Sequence, residues 1–507
     1  MARAATGLFI RKSLESVRSD AAGTGLKRSL GPIQLVLIGI GCIIGAGVYV
    51  MTGTAAANYA GPAVVVSFAI AGLACAFTGL CYAELSSALP VSGASYTYAY
   101  TALGEVIAWA LGWMLMLEFG LAGAALAVGL SGYLQSLLGD FGLALPQAVA
   151  TSLVRGEIGP DGMHFAFGPS LNLVAAASLG VVTAVLVRGV RHSAAVNTLL
   201  VAVKVCVLIA FVAIGIGHVD TANWTPFIPA NEGGFQYGVA GIFRAASILF
   251  FAYLGFEAVA TAASEAREPQ RDIPIGILGA LLVSTLIYGA VAMVMTGLVS
   301  YRMLDVADPI AVAVSAIGLP VFAVLIKIGA LTGLASVLLV NTYGQSRICF
   351  AIACDGLLPP SIARVHPRFS TPAVATIIVA GISAVAAALL PISLLADLVS
   401  LGTAFVFTVV ALAVIWLRST HPDLPRPFRV PLGGVWIRGV WIGVVPVLAI
   451  ILCLTMMGPV LTDIVAKAIH GEWIPSGILL VYIAIGAVIY RSYGHRNSRA
   501  RNAALTA

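Results

Sequence analysis

The chain has 507 residues, of which 60% are hydrophobic and only 9% charged, and its mean hydropathy is +1.02. A soluble domain spends about a quarter of its residues on charge, so this chain cannot cover itself with a water-facing surface. A soluble enzyme, a nucleic-acid binder and a secreted disulfide scaffold are excluded, and the net charge of +6 has to be located before it carries meaning.

Residues 1–31 are polar and basic and their apolar run begins late, unlike a cleaved signal peptide. A spanning helix needs about 20 mostly apolar residues. Twelve stretches qualify: 32–56, 62–88, 105–138, 170–188, 194–217, 237–263, 273–299, 319–353, 371–390, 393–417, 436–458 and 475–491. The expectation is an all-α polytopic membrane protein with no soluble domain and a tail at 492–507. The segments 139–169 and 218–236 carry Gly, Pro and Asn and read as external loops with short interfacial helices.

Placing the N-terminus in the cytoplasm sorts the basic residues. The inner side then collects six Lys and Arg before residue 31, Arg188, Arg191, Arg267, Arg271, Arg347, Arg364, Arg368, Arg418, Arg426, Arg429, Arg438, Arg491 at the end of the last span, and Arg496, Arg499 and Arg501 of the tail. The outer side holds Arg155, Arg302 and Lys467. That asymmetry puts both termini in the cytoplasm of a plasma-membrane protein, and the excess charge faces anionic lipid rather than nucleic acid. The seven cysteines lie in apolar stretches without a CxxC pair and read as small core residues. The histidines fall in loops or at helix ends, so neither a metal site nor a cofactor is expected.

In chain order, the first span contains GCIIGAGVY, Gly41 to Tyr49. Three glycines and an alanine within seven residues at mid-membrane read either as a close-packing seam or as an unwound hinge lining a cavity. Glu118, in the third span, lies about 20 Å along its helix, and a carboxyl at that depth is usually functional. It would contact substrate, donate as a neutral acid, or hold helices together. Lys204 lies roughly 15 Å into the fifth span, the middle of a core about 30 Å thick. Arg244 and Lys327 fall in the outer parts of the sixth and eighth spans and are expected to snorkel. The sixth span reads FFAYLGFEAVATAASE, Phe250 to Glu265, with Gly255 at its middle and Glu257 two residues on.

The sixth span holds in a second five-helix unit the place that the first holds in its own, with opposite topology. Paired interruptions in inverted repeats mark a transporter's midplane site. Half-helix N-termini suit a carboxylate and half-helix C-termini suit an ammonium, so two facing breaks are expected to recognise a zwitterion, an α-amino acid or a small amine-acid. An ion channel would need a pore-lining repeat or a ring of like charges, and an integral-membrane enzyme would need clustered His, Asp or Ser at one interface. Neither pattern is visible.

These segments, with GQSRICFAIACDGLLP after the eighth span and RPFRVPL at Arg426 to Leu432, resemble the amino acid, polyamine and organocation (APC) superfamily, and within it the cationic amino acid transporter-like bacterial permeases. The resemblance implies a LeuT-like 5+5 inverted repeat, 32–217 and 237–417, with two further helices over 436–491, and secondary transport by alternating access. It places the substrate carboxylate on the amides around Ile44, Gly45, Ala46 and Gly47. The ammonium falls on the carbonyls of Ile43, Phe251, Ala252 and Leu254. Ala46 stands where family members often carry Thr or Ser, so backbone amides must suffice. Phe251 resembles an aromatic gate over the substrate, with helix packing as the alternative. Asn341, in the eighth span, resembles a position beside the substrate side chain.

For Lys204 the resemblance implies coupling. In proton-coupled relatives a lysine here occupies the place where sodium-coupled relatives bind Na⁺, so transport is expected to be H⁺-coupled and Na⁺-independent. Carbonyls near Gly41 and Cys42 would receive the ammonium, and a lysine that only braces helices is the rival. A Na⁺-coupled symporter and an obligate exchanger share this fold. The charged motif EAREPQRDIP, Glu265 to Pro274, reads as an inner-gate lattice or a solvated loop, and Asp397 as an interfacial residue.

Overall fold

The computed structural model describes residues 10–12, 30–89, 93–159, 162–189 and 194–506. Most of the basic leader, with Arg191 and His192, lies outside the described residues. The long helices are α1 Pro32–Ile43, α2 Val64–Ala88, α3 Ala94–Ala102, α4 Glu105–Asp140, α5 Leu173–Arg188, α6 Ala194–Gly215, α7 Gly238–Leu249 and α8 Glu257–Thr261. They continue as α9 Pro269–Leu298, α10 Pro309–Ala316, α11 Pro320–Cys354, α12 Ala373–Leu389, α13 Ile392–Thr420, α14 Val444–Ile469, α15 Ile474–Ile489 and α16 Arg499–Thr506. Among the described residues nine helices are long and apolar enough to cross a membrane, so this is a multi-pass membrane protein. Pro32–Ile43, Leu173–Arg188 and Ala373–Leu389 are shorter apolar helices.

Starts and stops follow local chemistry. Pro32, Pro269, Pro309 and Pro320 sit in the first turns of α1, α9, α10 and α11, where the missing N–H costs nothing and φ is preset. α4 is central, packed along α11 and α13, while α9 packs on α1 and α2. Lipid-facing α6, by contrast, exposes Leu199, Val203 and Ile209.

Several sequence expectations change. Arg244 does not snorkel: it is 1% exposed and holds Asp397 through two 2.8 Å hydrogen bonds and Asp463 through one of 3.0 Å. Asp397 is therefore a buried partner rather than an interfacial residue. Bidentate pairing of this kind satisfies both charges where hydrocarbon would leave them bare. Lys327 is also buried, donating to Asp140 at 2.6 Å with Asp308 at 3.9 Å. Of the seven cysteines Cys75, Cys81, Cys349 and Cys453 are core residues, whereas Cys206 is exposed and Cys42 and Cys354 are half-buried.

The stretch assigned to an eleventh span from residue 436 opens as a β-hairpin. β3 Gly434–Ile437 pairs antiparallel with β4 Val440–Gly443, and the helix proper begins at Val444 and runs to Ile469. Arg438 and Gly439 take φ of 49° and 80°, the left-handed pair that a two-residue hairpin turn requires. A second hairpin, β1 Val154–Gly159 with β2 Gly162–Phe167, lies in the 139–169 segment, where short helices were expected. One turn does form there, at Gln147–Ala150.

Candidate functional site

Two helices break at the middle of the bundle. α1 ends at Ile43, Ile44 turns extended with ψ of 101°, and a π-helical turn restarts at Gly47–Met51. α7 passes into a 3-10 turn at Phe250–Tyr253, Leu254 turns to ψ of 137°, Gly255 takes φ of +113°, and α8 restarts at Glu257. Both resumed segments begin with amides that lack a preceding turn of carbonyls.

Glycines bring the breaks into contact. A Cβ on Gly47 would overlap Ala252, and one on Gly255 would sit 2.8–2.9 Å from Cβ, C and O of Cys42. The φ of Gly255 also lies in the region L side chains rarely adopt. Tyr288 of α9 then bridges the breaks, its hydroxyl lying 2.9 Å from the Ile43 carbonyl and 3.1 Å from that of Ala252.

Each break is partly filled by the chain itself. Lys204 of α6 is fully buried and donates to the carbonyls of Gly41, and of Ile44 at 2.9 Å. Ile44 thus replaces the expected Cys42, whose carbonyl lies against Gly255. At the other break, Glu257 Oε2 accepts the Gly255 N–H at 3.0 Å, while its buried Oε1 has no partner among the described residues. So the chain's own ionisable side chains take the carbonyl end of the first break and the amide end of the second.

A cavity of about 890 Å³ runs from these breaks to the face bearing Lys12, Arg347 and Asp355. Of the sequence-derived residues it is lined by Ile43, Gly45, Ala46, Gly47, Phe251, Ala252, Leu254 and Asn341. Ile44 is adjacent, but its amide already bonds Ile40 O at 3.0 Å, which leaves Gly45, Ala46 and Gly47 as the amide cradle. Among the carbonyls, those of Ile43 and Ala252 are taken by Tyr288, and that of Phe251 accepts the Leu254 N–H at 3.1 Å. The side-chain end is walled by Phe119, Leu126 and Val337, with Asn341 donating its amide to Phe119 O at 2.6 Å.

Glu118 is not brought to this cavity. It is 1% exposed, its backbone lies near Gly402 of α13, and Thr403 is its hydroxyl neighbour, while Oε2 has no partner. Tyr288 and Glu257 are the site residues that sequence reasoning left out. Glu257 carried a signal, an acid in mid-span beside the glycine of a break; Tyr288 carried none. At the open face Lys12 meets Asp355 at 3.3 Å. In the Glu265 to Pro274 motif, Leu30 donates to Glu265 O at 3.1 Å and Asp272 accepts the Glu268 N–H at 3.0 Å.

Broken helices facing each other across a cavity that opens at one face, within a multi-pass bundle, are the arrangement of a membrane transporter. The amino acid permease family matches residues 30–489, and the chain belongs to that family, within the APC superfamily. It is 39% identical to the methylthioribose transporter of Bacillus subtilis (strain 168) over 494 residues, 97% of this chain and 99% of that one. It is also 39% identical to the branched-chain amino acid permease BcaP of the same organism, over 97% and 98% of the two chains. Cationic amino acid transporter 4, vacuolar, of Arabidopsis thaliana is 36% identical over 82% of this chain and 68% of its own length.

Proposed function

We propose that this permease is an H⁺-coupled, Na⁺-independent amino acid transporter that works by alternating access. The observation that carries the reading is the complementary filling of the two breaks. With Lys204 on the first carbonyl end and Glu257 on the second amide end, a ligand is left the amides at Gly45–Gly47, the Leu254 carbonyl and the second lone pair of the Phe251 carbonyl, whose first accepts the Leu254 N–H. A substrate carboxylate belongs at the first and its ammonium at the second, which is the pattern of an α-amino acid.

In this reading the spans form an inverted repeat, 32–217 and 237–417, followed by 436–491, with both termini cytoplasmic. The cavity that reaches Lys12 and Asp355 is then the inward-facing one. Lys204, from another span, holds the first half-helix by two carbonyls, so loss of its proton removes the charge that strengthens those bonds and frees α6 to move. Relatives are named for branched-chain and for cationic amino acids. The wall of Phe119, Leu126 and Val337 supports a neutral side chain, with Asn341 as its polar contact.

Proteoliposome uptake tests this. Labelled neutral amino acid should accumulate under an inward proton gradient without Na⁺. Uptake that requires external Na⁺, or that ignores an imposed pH gradient, would overturn the coupling. Failure of every amino acid to compete would overturn the substrate class.

A further inference from the structure

Ten consecutive residues, 431–440, are exposed, although Leu432, Val435, Trp436, Ile437 and Val440 among them are large and apolar. Nothing in the transport site uses this segment. A two-stranded hairpin is marginal on its own, and strands normally bury one face, yet every residue of β3 is exposed. The base of the hairpin is nevertheless fixed. Trp441 is 6% exposed and lies under the Arg418 guanidinium at 4.0 Å. Arg418 pairs with the buried Glu84 of α2, which also accepts the Val430 N–H at 2.7 Å. The Trp441 N–H bonds Ser419 Oγ at 2.9 Å. A rigid base therefore holds out an apolar tip.

Charge and position say what covers it. Residues 424–443 contain Arg426, Arg429 and Arg438 and no Asp or Glu. Arg426 is occupied by Glu84 and by the carbonyls of Leu417 and His421, whereas Arg429 and Arg438 are exposed and have no acidic partner among the described residues. The hairpin leads straight into the lipid-crossing α14 at Val444, which places it at the bilayer boundary, where tryptophan and arginine are favoured together.

We infer that the 434–443 hairpin is a membrane anchor that seats Val435, Trp436 and Ile437 in the headgroup region and gathers anionic phospholipid around Arg429 and Arg438. It is clamped to the ends of α2 and α13, so the lipid it binds bears on the scaffold helices at the same end as Arg11, whose guanidinium stacks on Trp416.

The test uses the full chain in vesicles. An Ile437→Cys variant carries an environment-sensitive fluorophore, with labelling of the parent subtracted because Cys206 is exposed. Quenching is compared for phosphatidylglycerol and phosphatidylcholine bearing the same shallow nitroxide at equal mole fraction. The expected result is quenching by both, with a preference for phosphatidylglycerol of up to roughly fivefold per arginine, equalised by Arg429→Gln with Arg438→Gln. A fluorophore quenched by neither lipid would place the tip in water and overturn the anchor. Equal quenching by both in the parent arginine background would overturn the anionic preference. Quenching that fades as protein density rises would show a second copy on the hairpin instead of lipid.

Discussion

The two breaks expose the same kinds of backbone group and are filled from different distances. At the first, Lys204 reaches carbonyls 160 and more residues away in sequence, from a helix of its own. At the second, Glu257 caps an amide only two residues behind it. A cap from another span holds only while the two helices keep their places, whereas a local cap travels with its own helix. The first break is therefore the one that can sense where α6 stands. The second is a fixed half of the site, and Tyr288 ties it to the first through Ile43 and Ala252.

The largest effect is expected from forcing the breaks apart. Gly47→Leu puts a side chain into Ala252, where even a Cβ overlaps, so binding of labelled amino acid should be lost altogether. Gly45→Leu acts differently. Its Cβ would stand 3.2 Å from Leu126 and 3.4 Å from Val337, so the breaks stay in contact while the cavity floor fills, and binding should again be abolished in a protein that still elutes as a single species. A Gly45→Leu variant that binds like the parent places the site elsewhere.

Next in size is the distant cap. Lys204→Ala leaves two buried carbonyls without their donor, at about 1–3 kcal/mol each, and thermal stability should fall accordingly. Gradient-driven uptake should disappear while equilibrium binding largely survives, because the lysine holds the carbonyls of Gly41 and Ile44 and bonds none of the N–H groups of Gly45–Gly47. Parallel loss of binding and uptake would make Lys204 a brace for the cradle rather than a coupling residue.

How much of this was legible in the sequence differs between the breaks and their surroundings. Hydropathy alone marks the long spans, because hydrocarbon demands continuous apolar helix. The glycine runs at Gly41–Gly47 and Gly255 point to the paired interruptions. Lys204 stands out by depth. What sequence hides is partnership: Arg244 and Asp397 are 153 residues apart, and only their similar depth, about 9 and 8 Å from their helix starts at 1.5 Å per residue, hints that they meet. Glu118 shows the same limit, since depth says that a carboxyl is buried but not which way its helix face turns, and here it packs beside Gly402 of α13, as the helix-packing alternative has it. The part of the hairpin from residue 436 reads as helix because WIRGVWIG is apolar apart from Arg438 and runs on into the apolar 444–458. Its clue was the repeated, β-branched VWI on either side of Arg438–Gly439.

A smaller effect separates the side-chain end of the cavity from the breaks. Asn341 spends its amide on Phe119 O, which leaves its oxygen for the cavity. Asn341→Met removes that acceptor, and a polar substrate group should lose about 1–3 kcal/mol, roughly thirtyfold in competition at mid-range. Small apolar amino acids should be little changed. An identical competition profile across polar, basic and aliphatic amino acids would remove Asn341 from side-chain recognition.

The smallest expected change tests the local cap directly. Glu257→Ala frees the Gly255 N–H, and losing a side-chain cap on a helix start costs about 0.5–2 kcal/mol, typically about 1. Because Gly255 packs against Cys42 at the first break, that loosening reaches the ligand groups of both breaks, and affinity should weaken by roughly fivefold. Glu257→Gln keeps an oxygen that can accept from Gly255 and should restore binding close to the parent value. If the cap is what matters, Ala and Gln separate in an equilibrium binding titration; if the carboxylate instead meets the substrate ammonium, both variants fall together. Either result fixes whether the second break recognises its ligand through main-chain carbonyls alone, the counterpart of the main-chain amides proposed for the first.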